Sequence, residues 1–279
     1  MKQIKNIVVF NSTKKHGQMN SSKAFYPGIE NAKERARLMR EHKQALADEV
    51  GFDINNIFMS MQADKDHPYI SGTSYIINTN DVAEYSDLYN YNVWSDTIKL
   101  TRETPRVVIG FNVSDGANVI AMNTKTCEVT STFCSGAHIN KRVPFTIAST
   151  LGGNPEDILV DVSPFAYYYP FKSENGLIEP KWVSNKQVWE DCLEEKDGLL
   201  YINQSKALLR QLEESGIIRE NIFLRENSFD NPNYYSSQNA RLTGISYLDG
   251  RSMHAAMYEM EGQEREYNQE YIRKYPVKH

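Results

Sequence analysis

The sequence predicts an α/β (α+β) fold, a single domain with a mixed β-sheet flanked by helices. Three observations predict it. Short apolar runs of strand type alternate with longer amphipathic stretches along the whole chain. Glycines stand where the amphipathic stretches should stop. Nowhere do about 18 apolar residues follow one another, so no membrane-spanning helix is expected.

The elements follow in order. Ile7-Val8-Val9-Phe10 is a first strand; the run is too short for a leader peptide, and no small-residue cleavage site follows it. Residues 11–27 are polar, a long loop and therefore a candidate functional segment. Residues 29–50 favour helix, with Leu38, Ala45 and Leu46 among the apolar positions and Gly51 as the stop. Ile57-Phe58-Met59-Ser60-Met61 is a strand leading into Gln62-Ala63-Asp64, after which residues 66–92 show no clear period. Residues 106–113 have buried-strand character. Residues 117–122 and 127–133 flank the turn Asn123-Thr124-Lys125-Thr126 as a hairpin. A helix over 142–151 stops at Gly152-Gly153, and Ile158-Leu159-Val160-Asp161-Val162 is a buried strand. Residues 203–215 form an amphipathic helix with Ala207, Leu208 and Leu212 on one side; a strand at 221–224 follows. The tail from about Met253 to Tyr275 is charged and helix-compatible. The expected division is a domain over 1–257 and a helical extension over 258–279, with no internal repeat and no low-complexity linker.

Composition excludes some functions. A net charge of −5 and a pI near 5.8 give no basic footprint for nucleic acid or an anionic membrane. Cys127, Cys134 and Cys192 are odd in number and widely spaced, without a C-x-x-C pair. That speaks against a disulfide framework and for a reducing, cytoplasmic setting. The 17 tyrosines suit a planar ligand and an ordinary polar surface equally.

Several segments, in order, resemble the laccase-domain family, whose members are also described as multicopper polyphenol oxidases and purine nucleoside phosphorylases. Phe10-Asn11-Ser12-Thr13-Lys14-Lys15-His16-Gly17 is similar to the family's F-S-T-R-x-G-G. Glu41-His42-Lys43-Gln44-Ala45-Leu46, running on to Gly51-Phe52-Asp53, resembles E-N-R-x-x-L…L-G-L. Met61-Gln62-Ala63-Asp64 falls at Q-V-H, and Val113-Ser114-Asp115-Gly116 at T-A-D-C. Phe133-Cys134-Ser135-Gly136-Ala137-His138 falls at A-H-A-G-W-R. Phe229-Asp230-Asn231-Pro232-Asn233-Tyr234-Tyr235-Ser236 resembles the segment ending F-F-S-Y-R-R. Each match alone is weak; their collinear spacing carries the resemblance. It implies the laccase-domain fold, which is similar to that of cytotoxic deamidases.

The resemblance also implies where chemistry should sit. In the family two histidines and a cysteine hold one transition metal in a nucleoside pocket. Those positions here are Asp64, Gly116 and Cys134, and glycine offers no ligand. The expected metal site is therefore none. A set of Asp64, His67, Cys134 and His138 would be the way to rebuild one for zinc or copper. Asp64, Cys134 and His138 are the candidate catalytic residues. Against that stand ordinary roles: a turn cap for Asp64, a small buried hydrophobe for Cys134, and a surface or capping residue for His138. Gln62, Ser114, Asp115, Gly116, Tyr167, Gln238, Asn239 and Arg241 are the candidate ligand-binding residues. The family's paired arginines give way to Ser237-Gln238-Asn239-Ala240, with Arg241 displaced, which argues against inorganic phosphate as co-substrate.

The expected function is a repurposed, non-catalytic member binding a purine- or nucleotide-like small molecule, with no cofactor, no nucleic-acid partner and no membrane partner. The alternatives are an active phosphorylase or deaminase with a rebuilt zinc or copper site, and a Cys134-dependent hydrolase. Self-association and a partner-binding role for the tail stay open.

Overall fold

The computed structural model describes residues 3–60, 74–76, 92–93, 97–170, 172–173, 176–177, 183–196 and 198–278. Strand β1 (Ile4–Asn11) leads through a long loop to α1 (Ala32–Val50). The side chain of Asn31 accepts from the backbone N–H groups of Lys33 and Glu34 and so caps α1, while Gly51, left-handed at φ 90°, ends it. There follow β2 (Ile57–Ser60), β3 (Ser74–Ile76), β4 (Asn92–Val93), β5 (Thr97–Leu100) and β6 (Val108–Val113). The expected hairpin is β7 (Ala117–Asn123) with β8 (Glu128–Cys134). Its turn is built by the Asn123 side chain, which accepts from the N–H groups of Lys125 and Thr126 at 3.0 and 3.1 Å.

Two short helices come next, α2 (Gly136–Asn140) and α3 (Ile147–Leu151), and then β9 (Ile158–Val162). The helix expected over 142–151 is shorter than that because Pro144 starts a 3-10 turn before α3 begins. An excursion holds β10 (Tyr168–Pro170), β11 (Lys172–Ser173), β12 (Gly176–Leu177), α4 (Lys186–Trp189), β13 (Leu193–Lys196) and β14 (Leu199–Asn203). The chain closes with α5 (Gln204–Glu214), β15 (Ile222–Leu224), α6 (Ser237–Thr243), β16 (Ser252–Met260) and β17 (Ile272–Pro276).

The expected α+β fold with mixed sheets and flanking helices is observed: among the described residues the strands make two six-stranded mixed sheets and two small ones, β10-β14-β13 and β11-β12. The first runs β17-β1-β16-β6-β2-β4, antiparallel around β1 and parallel around β2. The second runs β15-β9-β7-β8-β5-β3. Side-chain alternation explains the layering. Ile120, Met122 and Val129 point between the sheets and join Met253, Ala255 and Met257 of β16 in one core. Leu46 and Val50 of α1 belong to the same core. Ala117, Val119, Ala121 and Cys134 point the other way. They pack with Ile139, Ile147, Leu151, Leu208 and Leu212 in the core beneath α2, α3 and α5.

The tail is corrected. Strand β16 runs straight through position 257, and β17 pairs with β1 where a helical extension was expected over 258–279. The pairing buries Tyr271, Ile272 and Tyr275, and it covers an edge of β1 that would otherwise leave backbone groups unpaired. No helix among the described residues is long and apolar enough to cross a membrane.

Candidate functional site

Strand β6 ends at Val113, and the next three residues, Ser114, Asp115 and Gly116, turn the chain from the first sheet into the second. The segment around α6 docks onto this crossover. Ser236 Oγ donates to Asp115 Oδ1 at 2.7 Å, and the Gln238 backbone N–H donates to Asp115 Oδ2 at 2.7 Å. The Ser237 N–H donates to Ser114 Oγ at 3.0 Å. Burial pushes the Asp115 carboxyl up, against the pull of those two hydrogen bonds and of Arg251. Ser237 Oγ donates to Asp249 and accepts from Arg251 Nη1 at 2.9 Å. The Arg251 guanidinium lies 4.7 Å over the Phe25 ring.

Gln238 is 4% exposed, and its Nε2 donates to the Tyr168 carbonyl at 3.2 Å. A carbonyl only accepts, so this bond fixes the amide orientation. The other amide atom, Oε1, is buried and has no hydrogen-bond partner among the described residues. Asn239 Nδ2 donates to Phe229 O at 2.9 Å, and Asn239 lines a cavity of about 150 Å³ with Lys14, Tyr234 and Ser236. Arg241 is exposed and donates to Ser237 O on its own helix. The Tyr167 hydroxyl donates to the Arg225 carbonyl, so it is spent on the backbone.

The structure thus brings together Ser114, Asp115, Gly116, Gln238 and Asn239, leaves Arg241 on the rim, and commits Tyr167 elsewhere. Gln62, Asp64 and His67 lie outside the described residues.

Opposite Gly116 stands Phe133, a residue the sequence did not mark. A Cβ at 116 would meet Phe133 Cε2 at 2.9 Å and Ser135 Cβ at 3.5 Å. Phe133 stacks on Phe111, centroids 4.0 Å apart at 13°, in a small apolar cluster with Val113. Cys134, one residue on, faces the helix-covered core. His138 is buried edge-on to Phe133 at 5.1 Å, with its Nδ1 2.6 Å from Ser135 Oγ. Among the described residues no three His, Cys, Asp or Glu side chains stand close enough together to hold a metal ion. At 116 there is no side chain, and a Cβ there would meet the Phe133 ring; the Cys134 side chain belongs to the helix-covered core.

A second polar cluster lies wholly between the sheets. Arg225 Nε and Nη2 donate to the two Asp161 oxygens at 2.6 and 3.0 Å. The Tyr275 hydroxyl donates to Asp161 Oδ2 at 2.7 Å, and His254 Nε2 stands 3.3 Å from Oδ1. Asn118 Nδ2 reaches His254 at 3.2 Å, and Ser131 Oγ donates to Asn118 Oδ1 at 3.0 Å. Burial pushes the Asp161 carboxyl up, but the Arg225 charge, with hydrogen bonds from His254 and Arg225, outweighs it and holds Asp161 well below the usual carboxylate range. Burial holds His254 below the usual imidazole range despite Asp161. The signal for this cluster was Asp161 itself, a charge inside an otherwise apolar strand.

No family model matches the sequence, and no curated protein matches it. Solved structures do. YlmD from Geobacillus stearothermophilus aligns with a TM-score of 0.66 at 13% identity, over 91% of this chain and 92% of its own. A hypothetical Bacillus licheniformis protein, YfiH, aligns at 0.62 and 13%, over 91% and 93%. A Neisseria meningitidis protein of the DUF152 group aligns at 0.55 and 10%, over 80% and 82%. The chain has the mixed α+β fold of these proteins, the fold that the laccase-domain resemblance implied.

Proposed function

We propose that the chain binds a nucleoside- or nucleotide-like small molecule beside the Ser114-Asp115-Gly116 crossover, without the metal-dependent catalysis of the laccase-domain family. The observation that carries the second half is Phe133, whose ring stands where a side chain at 116 would have to project. The rebuilt set of Asp64, His67, Cys134 and His138 loses support for a related reason. Its thiol is part of the helix-covered core, whereas His138 packs on Phe133. The same placement weakens a Cys134-dependent hydrolase, because a buried thiol in apolar surroundings is a poor source of thiolate.

The first half rests on the resemblance and on Gln238. Its unpaired Oε1 is a fixed, desolvated acceptor, and leaving it unpaired costs about 1–3 kcal/mol. An N–H donor on a planar base would offset that cost. Isothermal titration of the protein with purine nucleosides and nucleotides is the test. Saturable one-site binding by protein that carries no stoichiometric metal is the expected result. Absence of binding by every one of them, or stoichiometric zinc or copper in the purified protein, would remove the reading.

A further inference from the structure

We propose that the cavity between the loop after β1 and the segment leading into α6 takes a small monocarboxylic acid, with Lys14 as the cation for its carboxylate. This goes beyond the ligand-binding reading and needs neither a nucleoside nor Gln238, which does not line this cavity.

The place is made where two segments meet. The Lys14 backbone N–H donates to the Asn233 carbonyl at 2.8 Å, which seats the loop after β1 on the segment before α6. Between them lies the cavity of about 150 Å³. Pockets for drug-sized ligands run to ~300–1,000 Å³, so this one suits a molecule of only a few heavy atoms. Phe229, Pro232 and Leu248 give it apolar wall.

Most polar side chains of the lining are spent within the protein. Ser228 Oγ donates to the Ser114 carbonyl, Ser236 Oγ to Asp115, Asn239 Nδ2 to the Phe229 carbonyl and Asn231 Nδ2 to Glu226. Lys14 and Tyr234 differ. The half-buried Lys14 ammonium makes no hydrogen bond and no ion pair among the described residues; it stands 5.7 Å from the centroid of the Tyr235 ring. Burial pushes its pKa down, with no carboxylate to pull it back up. Tyr234 is 6% exposed, yet its hydroxyl has no hydrogen-bond partner among the described residues. A buried tyrosine hydroxyl ordinarily finds one. Two donors without partners, one of them charged, in one small cavity call for an anionic acceptor.

Charge selects among anions. One ammonium balances one negative charge. Asp230 also lines the cavity; it is exposed, accepts from Asn227 Nδ2 at 2.6 Å and forms no ion pair with Lys14. Its charge opposes a dianion such as orthophosphate, whose second charge Lys14 would leave unmatched. A carboxylate brings one charge and two acceptor oxygens, one for each donor. A short alkyl body then rests on Phe229, Pro232 and Leu248.

Ligand-observed NMR titration of the whole protein at neutral pH and constant ionic strength tests it, with acetate, butyrate, uncharged butyramide and orthophosphate as probes. One saturable site for butyrate is expected, and none for butyramide. Acetate should bind roughly tenfold more weakly, for want of two buried methylenes. Lys14→Gln should weaken butyrate on the order of tenfold or more, and Tyr234→Phe severalfold. Should Lys14→Gln not fold, Lys14→Met is read in the same way. No saturable site for butyrate, tighter binding of orthophosphate or butyramide than of butyrate, or unchanged butyrate affinity in folded Lys14→Gln overturns the proposal. No nucleoside enters the titration, so its failure is distinct from failure of the reading at Gln238.

Discussion

The two polar regions of this molecule are built on opposite terms. The Asp161 cluster is closed: both oxygens of the carboxylate are met by Arg225, Tyr275 or His254, and Asp161 is fully buried. The crossover at Ser114-Asp115-Gly116 is open-ended. Asp115 is satisfied, but the buried Gln238 Oε1 has no partner among the described residues. The difference separates a cluster that joins two sheets from the place where we propose that a ligand binds. Burial alone would have ranked them the other way, since Asp161 and His254 are fully buried.

The largest effect should come from breaking the closed cluster. Asp161→Asn leaves Arg225 buried without its counter-charge and should cost ~3–5 kcal/mol of stability in urea unfolding. Its pH arm has a definite sign. Asp161 and His254 both have folded-state values below their ordinary ones, so each contributes stability that is present above its unfolded pKa and lost as pH falls. Stability should therefore decline below about 6.5 as His254 favours the unfolded state, and decline further below about 4 as Asp161 does. Asp161→Asn should flatten the lower limb. A variant that unfolds at the wild-type urea midpoint would contradict the closed-cluster description.

A smaller, coupled effect should mark the Gly116–Phe133 contact. Gly116→Ala alone should cost ~1–3 kcal/mol by overpacking against the ring. In a Phe133→Ala background the same change should be close to neutral, so a double-mutant cycle should show coupling. Additive costs would mean that Phe133 does not occupy the space at 116.

The smallest stability effect belongs to Gln238→Leu. The change removes one unpaired acceptor while freeing the Tyr168 carbonyl, so unfolding should shift by no more than about 1 kcal/mol. Ligand affinity should fall roughly tenfold, the worth of one lost hydrogen bond. Unchanged affinity would move the ligand away from Gln238.

Much of the fold was legible because local chemistry sets local ends. Asn31 and Gly51 bracket α1, Asn123 shapes the hairpin turn, and Asn203 caps α5 through the Lys206 N–H. Pairing between distant segments was not legible. Strand β1 finds both neighbours, β16 and β17, at the far end of the chain, and no period within one segment encodes that. The tail looked helical because of its charges, yet Arg273 and Lys274 sit half-buried between the buried Ile272 and Tyr275 of a paired strand. Of the candidate site, Ser114, Asp115 and Gln238 could be placed by resemblance. The resemblance also covered Phe133 and Ser135, but not their closeness to Gly116 across a hairpin.

Thermal unfolding with purine nucleosides and nucleotides, run with and without a strong chelator, tests the central claim most directly. The account predicts that at least one of them raises the melting temperature equally in both conditions. Stabilisation that disappears with the chelator, or none with any of these ligands, would contradict it.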